Sequence, residues 1–177
     1  MKTKRIVLDA LLTALALSLF LLELQIPSPV PIPGIKLGLA NIITLVALFL
    51  LSAWDAAAIL TVRILLGAIF GGNFMAFWYS AAGGLLCFLV LLLVRRLITQ
   101  KQIWVCSALG AMAHNVGQMA VALLVTRTGA LIVYLPVLLV SGILTGIFTG
   151  LAAQFLLWRL KPAIDRQMKP QKPEEES

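Results

Sequence analysis

The sequence predicts an all-α polytopic membrane protein, a bundle of about six transmembrane helices. Three observations predict it. Of the 177 residues, 61% are hydrophobic and only 12% charged, against about a quarter charged in an ordinary soluble domain. A soluble fold of this composition could not furnish its own polar surface. Second, apolar runs recur that can cross about 30 Å of hydrocarbon at about 1.5 Å per residue. Third, the breaks between them carry turn residues and positive charge. One domain is the expectation at this length.

Each element can be justified in order. Segment 1 is the apolar run Ile6–Ile26. The following PSPVPIPG stretch, Pro27–Gly34, has four prolines and a glycine and cannot continue a helix. Segment 2, Leu37–Ser52, is short, and segment 3 runs Trp54–Phe70. Only Trp54 and Asp55 interrupt these two, but a fused helix would be far longer than the roughly 20 residues a crossing needs, so they are split. Gly71-Gly72-Asn73 makes a tight turn before segment 4, Phe74–Val94. The polar stretch Arg95–Gln102 precedes segment 5, Ile103–Val125. Thr126–Gly129 leads to segment 6, Ala130–Trp158, long enough to tilt. The expected organisation is a membrane domain over 1–160 and a flexible tail, rich in Pro, Lys and Glu, over 161–177. KTKR before an apolar run is reminiscent of a secretory signal, but the run is long and carries Asp9 and Glu23, so retention is expected.

Charge orients the bundle. Lys2, Lys4, Arg5, Arg95, Arg96, Lys101, Arg159, Lys161, Arg166, Lys169 and Lys172 fall on one side of a six-span topology. The other side has Lys36 and Arg127, and Arg63 lies inside segment 3. The positive-inside rule then puts both termini in the cytoplasm and the protein in the cytoplasmic (inner) membrane. The net charge of +7 follows from this bias and points to anionic lipid rather than nucleic acid. Cys87 and Cys106 both fall within spans and read as buried thiols, not a disulfide framework.

The polar residues inside the spans are unevenly distributed. Counting along each helix puts Arg63 and His114 near the midplane, with Ser141 at a similar level. Glu23, Asn41, Asn115, Gln118 and Tyr134 lie toward the exterior, and Lys36, Asn73 and Arg127 at the outer rim. An ionised group in hydrocarbon costs at least about 2.5 kcal/mol and therefore faces the bundle interior or a wet cavity. Two readings fit: a polar pocket opening outward, lined by Lys36, Asn41, Arg63, His114, Asn115, Gln118 and Tyr134, or a hydrogen-bond network that locks helices together. His114 and Gln118 share a helix face at i, i+4, and Asn115 lies about 100° round. A lone histidine without Cys or Asp companions does not make a metal site. Glu23 and Arg63 come out about 12 Å apart in depth, to be bridged by a ligand or by the long arginine reaching outward.

Small residues form two stripes. Gly142, Gly146 and Gly150 are a doubled G-x-x-x-G that fits packing inside the bundle. Ala10, Ala14 and Ser18 fit either internal packing or a dock for a partner membrane protein. There is no P-loop, and Asp9, Asp55 and Asp165 are isolated, whereas metal-assisted diphosphate chemistry needs several carboxylates to hold magnesium. No enzyme and no cofactor are expected.

Several stretches carry a resemblance: ELQIP at Glu23–Pro27, PGIKLGLANI at Pro33–Ile42, Arg63–Leu66 with Phe70-Gly71-Gly72, GAMAHNVGQ at Gly110–Gln118, and YLPVLL at Tyr134–Leu139 followed by SGILTG. Together they resemble the Gx transporter family, also labelled heptaprenyl diphosphate synthase component I, over nearly all of Arg5 to Trp158. That family is similar in layout to the substrate-binding S components of energy-coupling factor transporters. The resemblance implies six helices, cytoplasmic termini, and a small-residue stripe on helix 1, matched here by Ala10 and Ala14, that contacts a transmembrane scaffold subunit. It also implies ATPase partners and capture of a small solute from outside, which the cationic Lys36, Arg63 and Arg127 lean toward an anion. The alternative implied by the label is a non-catalytic component associated with isoprenoid diphosphate synthesis.

Overall fold

The computed structural model describes residues 2–26, 38–72 and 74–168. Among them the chain forms six α-helices and two short 3-10 helices: α1 (Lys2–Glu23), α2 (Asn41–Leu50), α3 (Ala53–Phe70), α4 (Phe74–Val94), α5 (Ile103–Thr126) and α6 (Leu135–Met168), with 3-10 turns at Gln100–Gln102 and Gly129–Tyr134. Five of the α-helices are long and apolar enough to cross a membrane, and α2 is not. The all-α membrane architecture is as the sequence predicts, with one change. Segment 2 is a half-helix of 10 residues, about 15 Å long and half a bilayer core. The chain still reverses there, so the alternation of the later helices is that of a six-segment topology.

The half-helix sits at the centre. It packs on α1, α3, α4 and α6, and six consecutive residues, Ile43 to Leu48, are buried. A helix apolar all round can be satisfied only in such a position. Non-helical backbone at membrane depth is tolerated where protein covers it, and both ends of α2 are covered by charge. At the N-terminal end the Glu23 carboxylate accepts the backbone N–H groups of Gly38 and of Leu39, the latter at 3.0 Å. At the C-terminal end Arg95 Nη1 donates to the carbonyl of Leu48 at 3.0 Å. Acid at the start and base at the finish also suit the helix dipole.

Local chemistry explains the other boundaries. Ser52 caps α3, its hydroxyl accepting from the Asp55 N–H, so the break between segments 2 and 3 falls at Leu51-Ser52. Arg5 grips the same corner, paired with Asp55 and donating to Ser52 Oγ at 3.0 Å. α5 ends at Arg127, whose φ of 51° is left-handed. The 3-10 turn at Gly129–Tyr134 takes the first part of expected segment 6, and α6 begins at Leu135, with Pro136 in the first turn where a missing N–H is harmless. At its far end α6 passes through Pro162 to Met168. The expected tail is thus helical up to that residue, and 169–177 lie outside the described residues.

The glycine stripe packs α6 on α5 as the spacing predicts. A Cβ on Gly146 would lie 2.5 Å from Ala108 Cα, and one on Gly150 2.5 Å from Trp104 Cα. Ala10, Ala14 and Ser18 lie on the exposed face of α1, so that stripe is not internal packing within this chain. The starts of α1 and α3, the α4–α5 connection and the end of α6 share one end of the bundle. Lys4, Arg5, Arg95, Arg96, Lys101, Arg159 and Lys161 make it the basic end.

Candidate functional site

Residues from five helices converge where α2 begins. Gly38 turns the chain with φ 78°, a left-handed conformation in which a side chain would be strained, and a Cβ there would come 2.9 Å from Asn41 Nδ2. That turn delivers Asn41 to the first position of α2, between α3 and α5. Arg63 Nη2 donates to Asn41 Oδ1 at 3.3 Å, and Asn41 Nδ2 meets His114 Nδ1 at 3.3 Å. Because the arginine can only donate, the amide oxygen faces it and the amide nitrogen faces the histidine. His114 Nδ1 is therefore the acceptor, and a neutral ring carries its proton on Nε2. The chain Arg63, Asn41, His114 has a fixed donor direction.

Arg63 is 3% exposed. Its guanidinium lies over the Phe20 ring, 5.9 Å from the centroid, and the Glu23 carboxylate acts on it electrostatically. Its Nε is buried and has no hydrogen-bond partner among the described residues. Glu23 acts on Arg63 electrostatically across the depth gap expected between them, while its carboxylate holds the turn before α2.

On α5, His114 and Gln118 share a face, as their spacing predicts. Both press on Gly83 of α4, where a Cβ would lie 2.8 Å from His114 Cε1 and 3.0 Å from Gln118 Cγ. Both are buried, at 4% and 1% exposure. Asn115 faces the other way. Its amide donates to the Leu138 carbonyl at 2.6 Å and its nitrogen would be 2.8 Å from a Cβ on Gly142. It therefore ties α5 to α6 and does not join the Asn41 cluster. Tyr134 is on the 3-10 turn at the rim, 40% exposed, and is not brought to the cluster either. Lys36 lies outside the described residues, as does the Pro27–Gly34 stretch.

A small void lies beside Asn41, below the cluster. A void bounded by Gly38, Asn41, Leu45, Cys87, Ser107 and Thr149 measures about 10 Å³, about the room one water needs. The outer part of the pocket that the sequence predicts, with Lys36 and the stretch before it, lies outside the described residues. Among the described residues no group of three His, Cys, Asp or Glu converges that could hold a metal.

Sequence reasoning missed Phe20, Gly38 and Gly83 as parts of the cluster. Gly38 could have been found from its place two residues before Asn41 and Gly83 from the Gly83-Gly84 pair within a span; no local signal marks Phe20.

The family model described as heptaprenyl diphosphate synthase component I matches residues 12–156. No curated protein and no solved structure matches the chain. The match spans every element of the cluster, from Phe20 to Gln118, and the chain belongs to that family.

Proposed function

We propose that this member of the heptaprenyl diphosphate synthase component I family is the substrate-binding membrane subunit of an uptake transporter of the energy-coupling-factor type. It takes up a small solute bearing an anionic group, and it works with a transmembrane scaffold subunit and ATPase subunits. The observation that carries this reading is Arg63: a guanidinium buried inside a lipid-soluble bundle, at the interrupted start of α2, with one N–H unmatched among the described residues. Intramembrane charges of this kind mark ligand pathways, and transporters use broken helices to form their sites. On this reading Arg63, Asn41, His114 and Gln118 make the floor of the site and Lys36 its outer guard. Glu23 holds Gly38 and Leu39 at the entry to α2, beside this floor. The basic end faces the cytoplasm by the positive-inside rule, and Ala10 and Ala14 are the scaffold contact.

The family description favours a second reading, a companion in prenyl diphosphate synthesis. On either reading the chain itself elongates no prenyl chain, since Asp9, Asp55 and Asp165 are isolated in sequence. Native mass spectrometry of protein drawn gently from its own membranes tests the proposal. A small anionic solute and ATPase-bearing assemblies should accompany the wild type, and Arg63→Gln should lose the solute alone. Co-purification with a prenyl synthase subunit, and with no solute or ATPase, would refute it.

A further inference from the structure

A second cleft lies at the opposite end of the bundle from the Asn41 cluster. It measures about 510 Å³, within the usual range of small-molecule sites. It opens between the end of α2, the start of α5 and the last turns of α6. Its lining includes the apolar Phe49, Leu157 and Trp158 and two cations from different elements, Lys101 and Lys161. A groove of about 270 Å³ continues from it along α6 past Gln154, Phe155 and Leu151. The two spaces share Gln154 and Trp158. From Lys161 to Leu151 the helix rises about 15 Å, so the groove runs from the charged edge well into the hydrocarbon.

Three features define what fits. The cations stand at the mouth, and Arg159 adds a third, folded back over Trp158 and Phe155 at 5.1 and 5.6 Å from their centroids. The deeper walls are apolar and open to lipid, with Leu151, Phe155 and Trp158 each at least half exposed. Between mouth and groove sits one polar group, the Gln154 carboxamide, whose oxygen is buried without a partner among the described residues. A free inorganic anion would use the mouth and leave the groove empty; an apolar molecule would leave two lysines and an amide unmatched.

We propose that this cleft binds one amphiphile of the adjoining leaflet. Its phosphate head, carrying net negative charge, meets Lys101 and Lys161 and accepts from the Gln154 amide NH2, and its hydrocarbon chain lies along Trp158, Phe155 and Leu151. Basic pockets between helices at this level suit phosphate heads. The source is a membrane phospholipid or a prenyl diphosphate, which share this chemistry. The site goes beyond the proposed uptake function and uses none of its residues.

Native mass spectrometry of the delipidated full chain in detergent, titrated with phosphatidylglycerol, phosphatidylcholine, a C15 prenyl diphosphate and inorganic pyrophosphate, tests it. Phosphatidylglycerol should bind one per chain, and Lys101→Gln/Lys161→Gln should weaken it about tenfold or more. Lys101→Arg/Lys161→Arg should hold within about threefold, which separates charge from folding. Displacement of phosphatidylglycerol by the prenyl diphosphate would assign the site to the prenyl compound; resistance to displacement would assign it to membrane phospholipid. Equal retention of phosphatidylcholine, unchanged binding in the glutamine double variant, or pyrophosphate binding as tightly as the chain-bearing probes would each overturn the proposal.

Discussion

Glu23 holds the entry turn of α2 beside the proposed site, and Glu23→Gln isolates its charge. The carboxylate accepts two backbone N–H groups, from Gly38 and Leu39, in a setting where Glu23 is 4% exposed. Hydrogen bonds to a charged acceptor are worth about 1.5–3 kcal/mol each. Glutamine keeps one acceptor oxygen and presents an NH2 group to the other backbone donor. It also removes the negative charge near the start of α2, worth about 0.3–1 kcal/mol, and the attraction felt by Arg63. One lost charged bond plus the dipole term comes to about 2–4 kcal/mol. The rest of α2 stays packed on four helices, so the loss is local to its entry turn. Hydrogen-exchange mass spectrometry on peptides covering 38–45 measures it: exchange should rise by roughly 30-fold to several hundred-fold, with peptides from α4 unchanged. Asp55→Asn serves as the control, because Arg5 in that pair is 46% exposed and such surface pairs are worth about 0–1 kcal/mol. Equal exchange at 38–45 in wild type and Glu23→Gln would refute the clamp.

Gly146→Leu should destroy the α5–α6 seam, at about 3 kcal/mol or more, since even a Cβ would sit 2.5 Å from Ala108 Cα; the yield of monodisperse protein reads this, and Gly129→Leu, with nothing within 4 Å, should be neutral. Ala10→Trp or Ala14→Trp should leave the isolated chain folded, because both positions are exposed, yet abolish co-purification of a scaffold subunit; retained association would remove the docking role. A cysteine at Gly129 should react with an impermeant thiol reagent on intact cells and one at Arg96 should not, and the reverse pattern would invert the topology.

How much could be read from the sequence depends on whether a feature is local. Segments 3, 4 and 5 end where predicted, within a residue or so, because Ser52, Gly71-Gly72 and the polar 95–102 stretch are local stop signals. The half-length of α2 was not legible. Leu37, Leu39 and Ala40 are as apolar as the helix that follows, and only Gly38's left-handed turn and the acceptor supplied by Glu23 stop the helix from starting earlier. The end of α6 was misjudged because Pro162 removes one helix bond near an end without forcing the chain out of helix. The i, i+4 spacing placed His114 and Gln118 together, and put Asn115 round the helix. It could not show that Asn115 is claimed by the Leu138 carbonyl, a partner 23 residues away. Depth alone puts Tyr134 level with the cluster, and depth does not fix azimuth on a 3-10 turn.

The choice between lock and site rests on what Arg63 does for stability. A structural lock is an interaction whose loss unfolds the protein; breaking a well-matched buried pair costs about 3–5 kcal/mol. Arg63 is poorly matched for that task. Its hydrogen bond to Asn41 is at the long end, 3.3 Å, to a neutral amide, and its Nε goes without a partner among the described residues. A buried cation in this condition is held at a loss, and apolar residues of similar volume often replace such groups neutrally or with a gain. Arg63→Met keeps the stem over Phe20, where a thioether also packs well against an aromatic ring, and leaves Asn41 Oδ1 short of one donor, at about 1–3 kcal/mol. The two effects oppose each other. The expected result is a change in folding free energy under about 2 kcal/mol in either direction, measured by thermal unfolding in detergent, together with loss of any co-purified anionic solute. Destabilisation beyond about 3 kcal/mol, with Phe20→Leu doing likewise, would make the cluster a lock and take away the physical ground for a binding site at Arg63.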